Sequence, residues 1–290
     1  MPFISIFMKR TFQFIVALAS FATILSLLPS CNNADRSNPP AGEGEKTVDN
    51  TPPSINYSVV QVLPHDTSSF TEGLLVHDGQ LYESTGTEPG MPGDRRSLFG
   101  IVDPKTGKIT PKAELDRNKY FGEGIAFLKD KVYQLTWTTK VGFIYDAKTF
   151  KKTGEFTIPV KEGWGMTTDS AHLIMSDGSS NISYVDPATF RLVKVVGVTD
   201  NNGPVSNINE LELINGFLYA NQWQTNYILK IDPASGKVVG RLDLTSLANE
   251  AKNKSITSDT LNGIAYDSAT GKIYVTGKLW PNIYEIKFSI

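Results

Sequence analysis

Short apolar runs and turn residues alternate along most of this chain. The runs are four to seven residues long, and glycine, proline, asparagine and aspartate separate them, which is typical of β-strands joined by turns. Only the segment from Leu244 to Lys254 has the spacing of apolar residues that indicates a helix. The pattern therefore predicts an all-β protein with one short helix.

One turn sequence recurs along the chain at nearly constant spacing. Its four clearest copies begin at Asp103, Asp146, Asp186 and Asp232, so their first residues lie 43, 40 and 46 positions apart. An aspartate in this position accepts hydrogen bonds from backbone amides two residues on, which is typical of a tight hairpin turn. The spacing indicates a repeated structural unit of that length.

A second repeated feature lies upstream of each turn. A polar or aromatic residue is followed by a hydrophobic residue, often tyrosine, ten positions later in four copies and twelve positions later in a fifth. The residues that open the five copies are Glu72, Glu123, Trp164, Asn209 and Asn262. Five units of roughly 40 to 55 residues, each with four strands, predict a five-bladed β-propeller.

The fifth unit supplies only three strands, the last of them over Ile283 to Phe288. The apolar segment from Ser58 to Leu63 precedes the first unit and belongs to no blade of its own. We therefore expect this N-terminal segment to pair as the outer strand of the fifth blade. Such pairing closes the ring and protects the sheet edges that a linear array would leave open.

Two sets of equivalent positions are expected to face one another, because the first strand of each blade lines the central channel of a propeller. The first set contains the five residues that open the repeats. The second set lies four positions after each hydrophobic residue and consists of Gly86, Trp137, Gly178, Trp223 and Lys278. Together the two sets predict one pocket with two carboxyl groups, two carboxamides, three indoles and one ammonium. Trp280 is assigned to packing instead.

The residue inventory disfavours several other kinds of site. His65, His77 and His172 fall outside both sets and are predicted to be loop and turn residues, so a Ser-His-Asp triad or a zinc site has no obvious members. No glycine-rich phosphate loop precedes a helix. The net charge of −2 gives no basic surface for nucleic acid. We expect no metal, no cofactor, no nucleic acid and a monomer.

The first 54 residues differ in composition from the rest. Two basic residues precede an apolar run from Phe12 to Leu28, which is a signal-peptide layout. The following Pro29-Ser30-Cys31 resembles the lipobox of bacterial lipoproteins, in which the cysteine is acylated. We therefore predict a lipoprotein signal peptide over residues 1–30, a lipidated Cys31 with a disordered tether over 31–54, and the propeller domain over 55–290. The lipid alone is expected to hold the protein at the bacterial cell envelope, on the periplasmic side or at the outer membrane.

Eight short segments carry a more specific signal. They are Phe70-Thr71-Glu72-Gly73-Leu74, Tyr82-Glu83-Ser84-Thr85-Gly86, Phe121-Gly122-Glu123-Gly124, Gln134-Leu135-Thr136-Trp137, Glu162-Gly163-Trp164-Gly165, Ile208-Asn209-Glu210-Leu211-Glu212, Asn221-Gln222-Trp223 and Asn262-Gly263-Ile264-Ala265. With these segments the chain resembles the plant-type glutaminyl cyclotransferases of plants and bacteria, which are five-bladed propellers, from about Tyr57 to Phe288.

The resemblance implies a reaction and a set of residue roles. The reaction converts the N-terminal glutamine of a peptide or protein to pyroglutamate and releases ammonia, without a metal. Glu123 would be the catalytic acid and base, and Lys278 and Asn209 would donate to the developing oxyanion. The implied aromatic cage and substrate contacts are Phe70, Glu72, Phe121, Trp137, Trp164, Trp223 and Asn262. Plant members often have glutamine at the position of Glu72, so the role of this carboxylate does not follow from the resemblance.

Two other functions fit a propeller with these residues. A calcium-dependent hydrolase such as a lactonase would use Glu72, Glu123, Asn209 and Asn262 as oxygen ligands, although Lys278 would place a fixed positive charge beside the metal. A non-catalytic binding propeller would only present a surface, which leaves the shared register of Glu123 and Lys278 unexplained. The sequence favours the cyclotransferase.

Overall fold

The computed structural model describes residues 51–93 and 95–289 of the 290-residue chain. Five four-stranded antiparallel sheets account for nearly all of its regular structure. The predicted signal peptide, Cys31 and most of the predicted tether lie outside the described residues. Within the described residues, no helix is long and apolar enough to cross a membrane.

The sheets are the blades of the propeller, and the strands are numbered in chain order. Strand β1 is Tyr57–Pro64. Blade one contains β2 (Thr71–His77), β3 (Gln80–Thr85), β4 (Leu98–Val102) and β5 (Ile109–Glu114), and blade two contains β6 (Gly122–Leu128), β7 (Lys131–Thr136), β8 (Val141–Asp146) and β9 (Lys152–Thr157). Blade three contains β10 (Met166–Thr168), β11 (Leu173–Ser176), β12 (Asn181–Val185) and β13 (Leu192–Gly197), followed by a small hairpin of β14 (Thr199–Asp200) and β15 (Gly203–Pro204).

Blade four contains β16 (Ile208–Ile214), β17 (Phe217–Gln222), β18 (Tyr227–Ile231) and β19 (Val238–Asp243), and the helix α1 (Thr245–Lys254) follows it. Blade five contains β20 (Leu261–Asp267), β21 (Lys272–Gly277) and β22 (Asn282–Phe288), with β1 as its fourth strand. The predicted all-β, five-bladed propeller is confirmed, and the helix begins one residue after the predicted start.

The ring closes through the N-terminal strand. Strand β1 pairs antiparallel with β22, and the inner strands β2, β6, β10, β16 and β20 contact one another in cyclic order. Upstream of β1, the carbonyl of Pro53 accepts from the amide of Arg241 at 2.9 Å, and the amide of Ile55 donates to the carbonyl of Arg241 at 2.8 Å. The predicted closure is confirmed, and the contacts with the propeller begin two residues before the predicted domain boundary.

The repeated aspartate turns have the hydrogen bonds that their sequence predicts. In each turn a carboxylate oxygen accepts from the backbone amide two residues on, which fixes the reversal between the third and fourth strands of a blade. The aspartates that do so are Asp103, Asp146, Asp186 and Asp232. Asp267 makes the same bond in blade five, in the turn between β20 and β21.

His65 ties the end of β1 to blades one and five. Its Nδ1 lies 2.8 Å from the carbonyl oxygen of Trp280, and its Nε2 lies 3.0 and 3.1 Å from the two carboxylate oxygens of Glu83. Both partners can only accept, so both ring nitrogens donate and His65 is an imidazolium. Burial would lower the pKa of His65, but the Glu83 carboxylate outweighs it and raises the pKa above its ordinary value.

The other predictions for single residues have mixed outcomes. His65 lies outside the strands as predicted, but it is buried rather than part of an exposed loop. His77 is not a turn residue, because it ends β2 and stacks on Phe127 with 3.9 Å between ring centroids. His172 lies in a turn and contacts Asp169. Trp280 is fully buried, as its assignment to packing requires.

We expect His65→Leu to lower the free energy of unfolding by about 3–5 kcal/mol near pH 6, because it leaves the Glu83 carboxylate buried without its partner. The raised pKa sets the sign of the pH dependence. The stabilisation by His65 is complete below the ordinary histidine pKa of about 6.5 and declines as the pH rises through the folded-state pKa. The difference between the two proteins should therefore shrink at high pH, as measured by urea unfolding.

The matched control for this substitution is His172→Leu. The imidazole of His172 also contacts a carboxylate, that of Asp169 at 3.0 Å, but both side chains are about a third exposed. A pair of this kind contributes at most about 1 kcal/mol. Equal losses of stability in the two variants would contradict a role for His65 in closing the ring.

Candidate active site

A repeated backbone hydrogen bond brings the two predicted sets of positions together. In four blades the amide of the second-set residue donates to the carbonyl of the residue two positions before the first-set residue. The four pairs, with their N–O distances, are Gly86 and Phe70 (3.0 Å), Trp137 and Phe121 (3.1 Å), Trp223 and Asn207 (2.8 Å), and Lys278 and Thr260 (2.9 Å). Positions that are equivalent in the sequence repeat are therefore also equivalent in the structure of these four blades.

Irregularities in the inner strands aim the first-set side chains. The pairing register of the inner strand shifts at Glu72, Glu123, Asn209 and Asn262. A bulge of this kind kinks a strand and re-aims a side chain, and such bulges are common beside active sites. The fifth first-set residue, Trp164, precedes the inner strand β10, which has only three residues.

Seven of the ten residues in the two sets line one cavity of about 420 Å³. Its wall includes nine of the ten predicted catalytic and substrate-binding residues, namely Phe70, Glu72, Phe121, Glu123, Trp137, Trp164, Asn209, Trp223 and Lys278. Sequence reasoning missed five other lining residues, which are Glu88, Met91, Gln224, Asp259 and Thr260. These five belong to neither set of repeated positions.

Asn262 is the predicted site residue that the cavity wall does not include. Its side chain is fully buried, and its Nδ2 donates to the carbonyl of Thr71 at 2.9 Å and to Glu72 Oε2 at 3.3 Å. The cavity wall gives no support to a substrate contact by Asn262, because its amide lies behind Glu72. The amide instead helps to orient the Glu72 carboxylate.

Glycine in the second set makes room for aromatic rings. A Cβ atom at Gly86 would clash with the ring of Phe121, and one at Gly178 would lie 2.6 Å from the ring of Trp164. The absence of a side chain thus allows the ring of Phe121 to lie over the backbone of Gly86, and the ring of Trp164 to lie over that of Gly178. The sequence showed that blades one and three lack a large second-set side chain, and the structure gives the reason.

The aromatic side chains form two contact groups along the cavity wall. Phe121 contacts Phe70 and Trp137 edge-on, with ring centroids 6.1 and 5.8 Å apart. Trp164 and Trp223 contact each other with centroids 5.5 Å apart and ring planes 83° apart. Such edge-to-face packing is favourable and fixes ring orientation. The wall therefore offers an apolar, well-ordered surface.

Three ionisable groups meet in the wall of the cavity. Lys278 Nζ donates to Glu72 Oε1 at 2.7 Å, and the two side chains are only 8% and 3% exposed. The ammonium also lies 4.5 Å from the centroid of the Phe70 ring, a favourable cation–π distance. Glu72 and Glu123 lie close enough for each to perturb the pKa of the other.

The electrostatics of the site differ between its two carboxyl groups. Burial raises the pKa of Glu123 well above its usual range, and the charge of Glu72 raises it further against the opposing effect of Lys278. Burial also raises the pKa of Glu72, but Lys278 opposes this directly through its ion pair. Two carboxylates in contact cannot both ionise readily. Glu123 is therefore the carboxyl group of the pair that is more readily protonated.

Asn209 lies in the wall of the cavity and is 2% exposed. Its Oδ1 is buried and has no hydrogen-bond partner, which costs free energy. The role of its side chain as a donor to the oxyanion stays a prediction.

One of the oxygen ligands of the alternative calcium site, the Glu72 carboxylate, is already engaged with other groups. The Lys278 ammonium contacts Glu72, and Asn262 donates to the same carboxylate. Across residues 51–93 and 95–289, no group of three or more histidine, cysteine, aspartate or glutamate side chains is arranged to hold a metal ion. The geometry at Glu72 is that of an ion pair.

Comparison with known proteins gives the family. The glutamine cyclotransferase family model matches residues 31–288. This chain belongs to that family. It is 40% identical over 231 residues to the glutaminyl-peptide cyclotransferase of Arabidopsis thaliana, across 79% of this chain and 70% of that protein. The crystal structure of Myxococcus xanthus glutaminyl cyclase is similar with a TM-score of 0.73 and 32% identity, across 82% of this chain and 99% of that one.

In this member of the glutamine cyclotransferase family, we expect Glu72→Gln to lower the pKa of the Glu123 carboxyl group. The substitution removes the adjacent negative charge, and it leaves the Lys278 ammonium to favour the Glu123 carboxylate. Titration of the Glu123 carboxyl, followed by infrared difference spectroscopy, measures the change.

The control for this titration is Glu250→Gln, which removes an exposed carboxylate that is paired with Lys254. This variant should leave the pKa of Glu123 unchanged, because an exposed charge is screened by solvent. An unchanged Glu123 pKa in Glu72→Gln would show that the two carboxyl groups do not perturb each other.

Proposed function

We propose that this protein is a glutaminyl-peptide cyclotransferase that converts the N-terminal glutamine of peptides or proteins to pyroglutamate and releases ammonia. Its family and the name of its Arabidopsis relative support the activity. The observation that carries the proposal is the buried pair of Glu123 and Glu72 beside Lys278 in an aromatic-walled cavity, with the pKa of Glu123 raised well above its usual range. The other residue roles below are part of this proposal.

The reaction requires one proton to be accepted and one to be delivered. The α-amine of the substrate attacks its own side-chain amide carbon, so that a C–N bond forms and the carbonyl electron pair moves to oxygen. The attacking nitrogen then loses a proton and the amide nitrogen gains one. The carbonyl re-forms as ammonia leaves, and the number of protons on the enzyme is unchanged.

Glu123 and Glu72 together can meet this requirement. Glu123 holds the proton that the departing nitrogen needs, and once it has delivered that proton the pair can take the proton of the attacking amine. The family resemblance gives Glu123 both the acid and the base role. The raised pKa of Glu123 favours a starting state in which the proton is already on this acid.

Lys278 and Asn209 are suited to hold the reacting amide. The ammonium has three donors, and Glu72 takes one of them, so the others can stabilise the oxyanion. The side chain of Asn209 lines the same cavity and is the second expected donor to this oxyanion. An N-terminal glutamate would bring a carboxylate against Glu72, so the pocket favours an amide over an acid.

The aromatic wall is suited to an intramolecular reaction. Rings that exclude water disfavour hydrolysis of the side-chain amide, which would compete with attack by the amine. A wall of fixed rings also restricts the flexible glutamine side chain to a folded conformer in which amine and amide carbon lie close together. Phe121, Trp137, Trp164 and Trp223 supply this wall.

We also propose that the enzyme is held at the bacterial cell envelope by lipid on Cys31. The support is the sequence alone, namely the apolar run from Phe12 to Leu28, the lipobox-like residues after it, and the absence of any other cysteine from the chain. Mass spectrometry of the mature N-terminus tests the modification.

We expect Glu123→Gln to keep the fold and to lower kcat by roughly 10²- to 10⁴-fold, because an amide is isosteric but cannot shuttle a proton. Ammonia release from a glutamine-initiated dipeptide measures the rate, and the melting temperature checks the fold. The control is Glu155→Gln, which removes an exposed carboxylate on β9 that is paired with Lys152.

Two results of this experiment would contradict the proposal. Retention of more than about a tenth of the wild-type rate would remove Glu123 from the acid–base role. Loss of wild-type activity in EDTA, restored by calcium, would favour the hydrolase alternative. The proposal expects the rate to survive exhaustive chelation.

We expect Lys278→Met to lower kcat by roughly 10²- to 10³-fold with little change in KM, because donation to an oxyanion acts mainly in the transition state. Since Lys278 also pairs with Glu72, the same substitution is made in the Glu72→Gln background and kcat is compared at each variant's best pH. If Lys278 donates directly to the oxyanion, Lys278→Met should also lower kcat in the Glu72→Gln background. If Lys278 acts only through Glu72, the loss should largely disappear.

A further inference from the structure

One carboxylate oxygen joins two tryptophans of the cavity wall. Glu162 Oε2 accepts from Trp137 Nε1 at 2.8 Å and from Trp164 Nε1 at 2.9 Å. Trp137 follows the second strand of blade two, whereas Trp164 precedes blade three. Glu162 itself is not among the cavity-lining residues, and its side chain is 24% exposed. Its carboxylate therefore lies behind the indoles and bridges adjacent blades.

The local backbone places Glu162 between the two rings. The amide of Gly163 donates to the carbonyl of Trp137 at 2.9 Å. A Cβ atom at Gly163 would lie 2.5 Å from the carbonyl oxygen of Thr136, so the close approach requires glycine. The segment that begins at Glu162 thus docks on the end of β7, with its carboxylate within reach of both indole nitrogens.

The Glu162 carboxylate connects the two aromatic groups of the wall. One group runs through Phe121 to Trp137, and the other consists of Trp164 and Trp223. The rings pack against one another within each group. This packing does not fix the position of one group relative to the other. Hydrogen bonds from both groups to the same oxygen do set it.

The strength of these bonds matters most for Trp137. Its side chain is 36% exposed, which makes it one of the large hydrophobic residues that packing holds least tightly. An indole N–H can only donate, and a hydrogen bond to an ionised acceptor is roughly twice as strong as a neutral one. Because the nitrogen lies at the ring edge, the bond restricts the orientation of the ring face.

We propose that Glu162 is a positioning residue that holds Trp137 and Trp164 as one continuous wall for the N-terminal glutamine of the substrate. The inference rests on the proposed function. Glu162 acts through the two indoles and touches no reacting atom. Sequence reasoning had included Glu162 in a family-like segment without giving it a role, because its two partners are 25 and two positions away along the chain.

The test compares Glu162→Ala with Glu162→Gln. Alanine removes the acceptor, whereas glutamine keeps a carbonyl oxygen that can accept from both indoles as the single Oε2 does. We expect Glu162→Ala to raise KM about tenfold, since bonds to charged groups are each worth roughly a factor of ten or more. The kcat should change by less than about threefold, because a wall contacts ground state and transition state alike. Glu162→Gln keeps the acceptor without its charge and should therefore raise KM clearly less than Glu162→Ala does.

A second measurement does not depend on turnover. Acrylamide quenching of tryptophan fluorescence should increase in Glu162→Ala and clearly less in Glu162→Gln, because a released indole is more mobile and more accessible. The matched control is Glu155→Ala, which removes an exposed carboxylate paired with Lys152. The control should leave both KM and quenching unchanged.

The outcomes separate this inference from the proposed function. An unchanged KM and unchanged quenching in Glu162→Ala would overturn the positioning role, as would equal defects in the alanine and glutamine variants. Absence of cyclisation by the wild type would overturn the proposed function, while quenching would still decide whether Glu162 fixes the indoles. If Glu162→Ala lowers the melting temperature, Trp137→Phe replaces it, since it removes one of the same hydrogen bonds and should also raise KM.

Discussion

The pairing of β1 with β22 holds the propeller as a ring, and the site depends on that ring. Glu72 lies at the start of blade one and Lys278 lies in blade five, 206 positions later in the chain, yet their side chains form a 2.7 Å ion pair. In an open array these blades would lie at opposite ends. Closure therefore brings the ammonium to the carboxylate. The imidazolium of His65 reinforces closure at the point where β1 ends.

The interior of the ring favours neutral carboxyl groups. Burial raises the pKa of Glu212 to about 8, and burial together with Glu212 raises the pKa of Glu210 well above its usual range. Glu210 also accepts from the amides of Leu74 and Ile264, and so joins blade four to blades one and five. The raised pKa of Glu123 has the same first cause, since desolvation penalises a charge that water no longer stabilises. Lys278 opposes this effect at Glu72 through its ion pair.

The glycines that follow the site residues are required for packing between blades, whereas the site residues themselves are required for chemistry. A Cβ atom at Gly124 would lie 2.6 Å from the amide nitrogen of Met166, and one at Gly165 would clash with the carbonyl of Asn209. The inner strands of adjacent blades can approach closely only because these side chains are absent. The segment Glu123-Gly124 thus combines a functional carboxyl group with a packing requirement, which explains why such pairs recur in the repeat.

The sequence by itself determined the five blades, the strand that closes them and nine of the residues that line the cavity. The blades, the closing strand and seven of those residues follow from a repeat, which places equivalent residues at equivalent points of each blade, whereas Phe70 and Phe121 came from the family resemblance. Tertiary structure decided the matters that depend on distances across the ring. Asn262 lies behind Glu72, Glu162 joins two indoles, His65 is charged, and the pKa of Glu123 is raised well above its usual range. Each of these outcomes depends on burial and on partners in other strands or other blades. Neither burial nor these partners can be predicted from the spacing of residues along the chain.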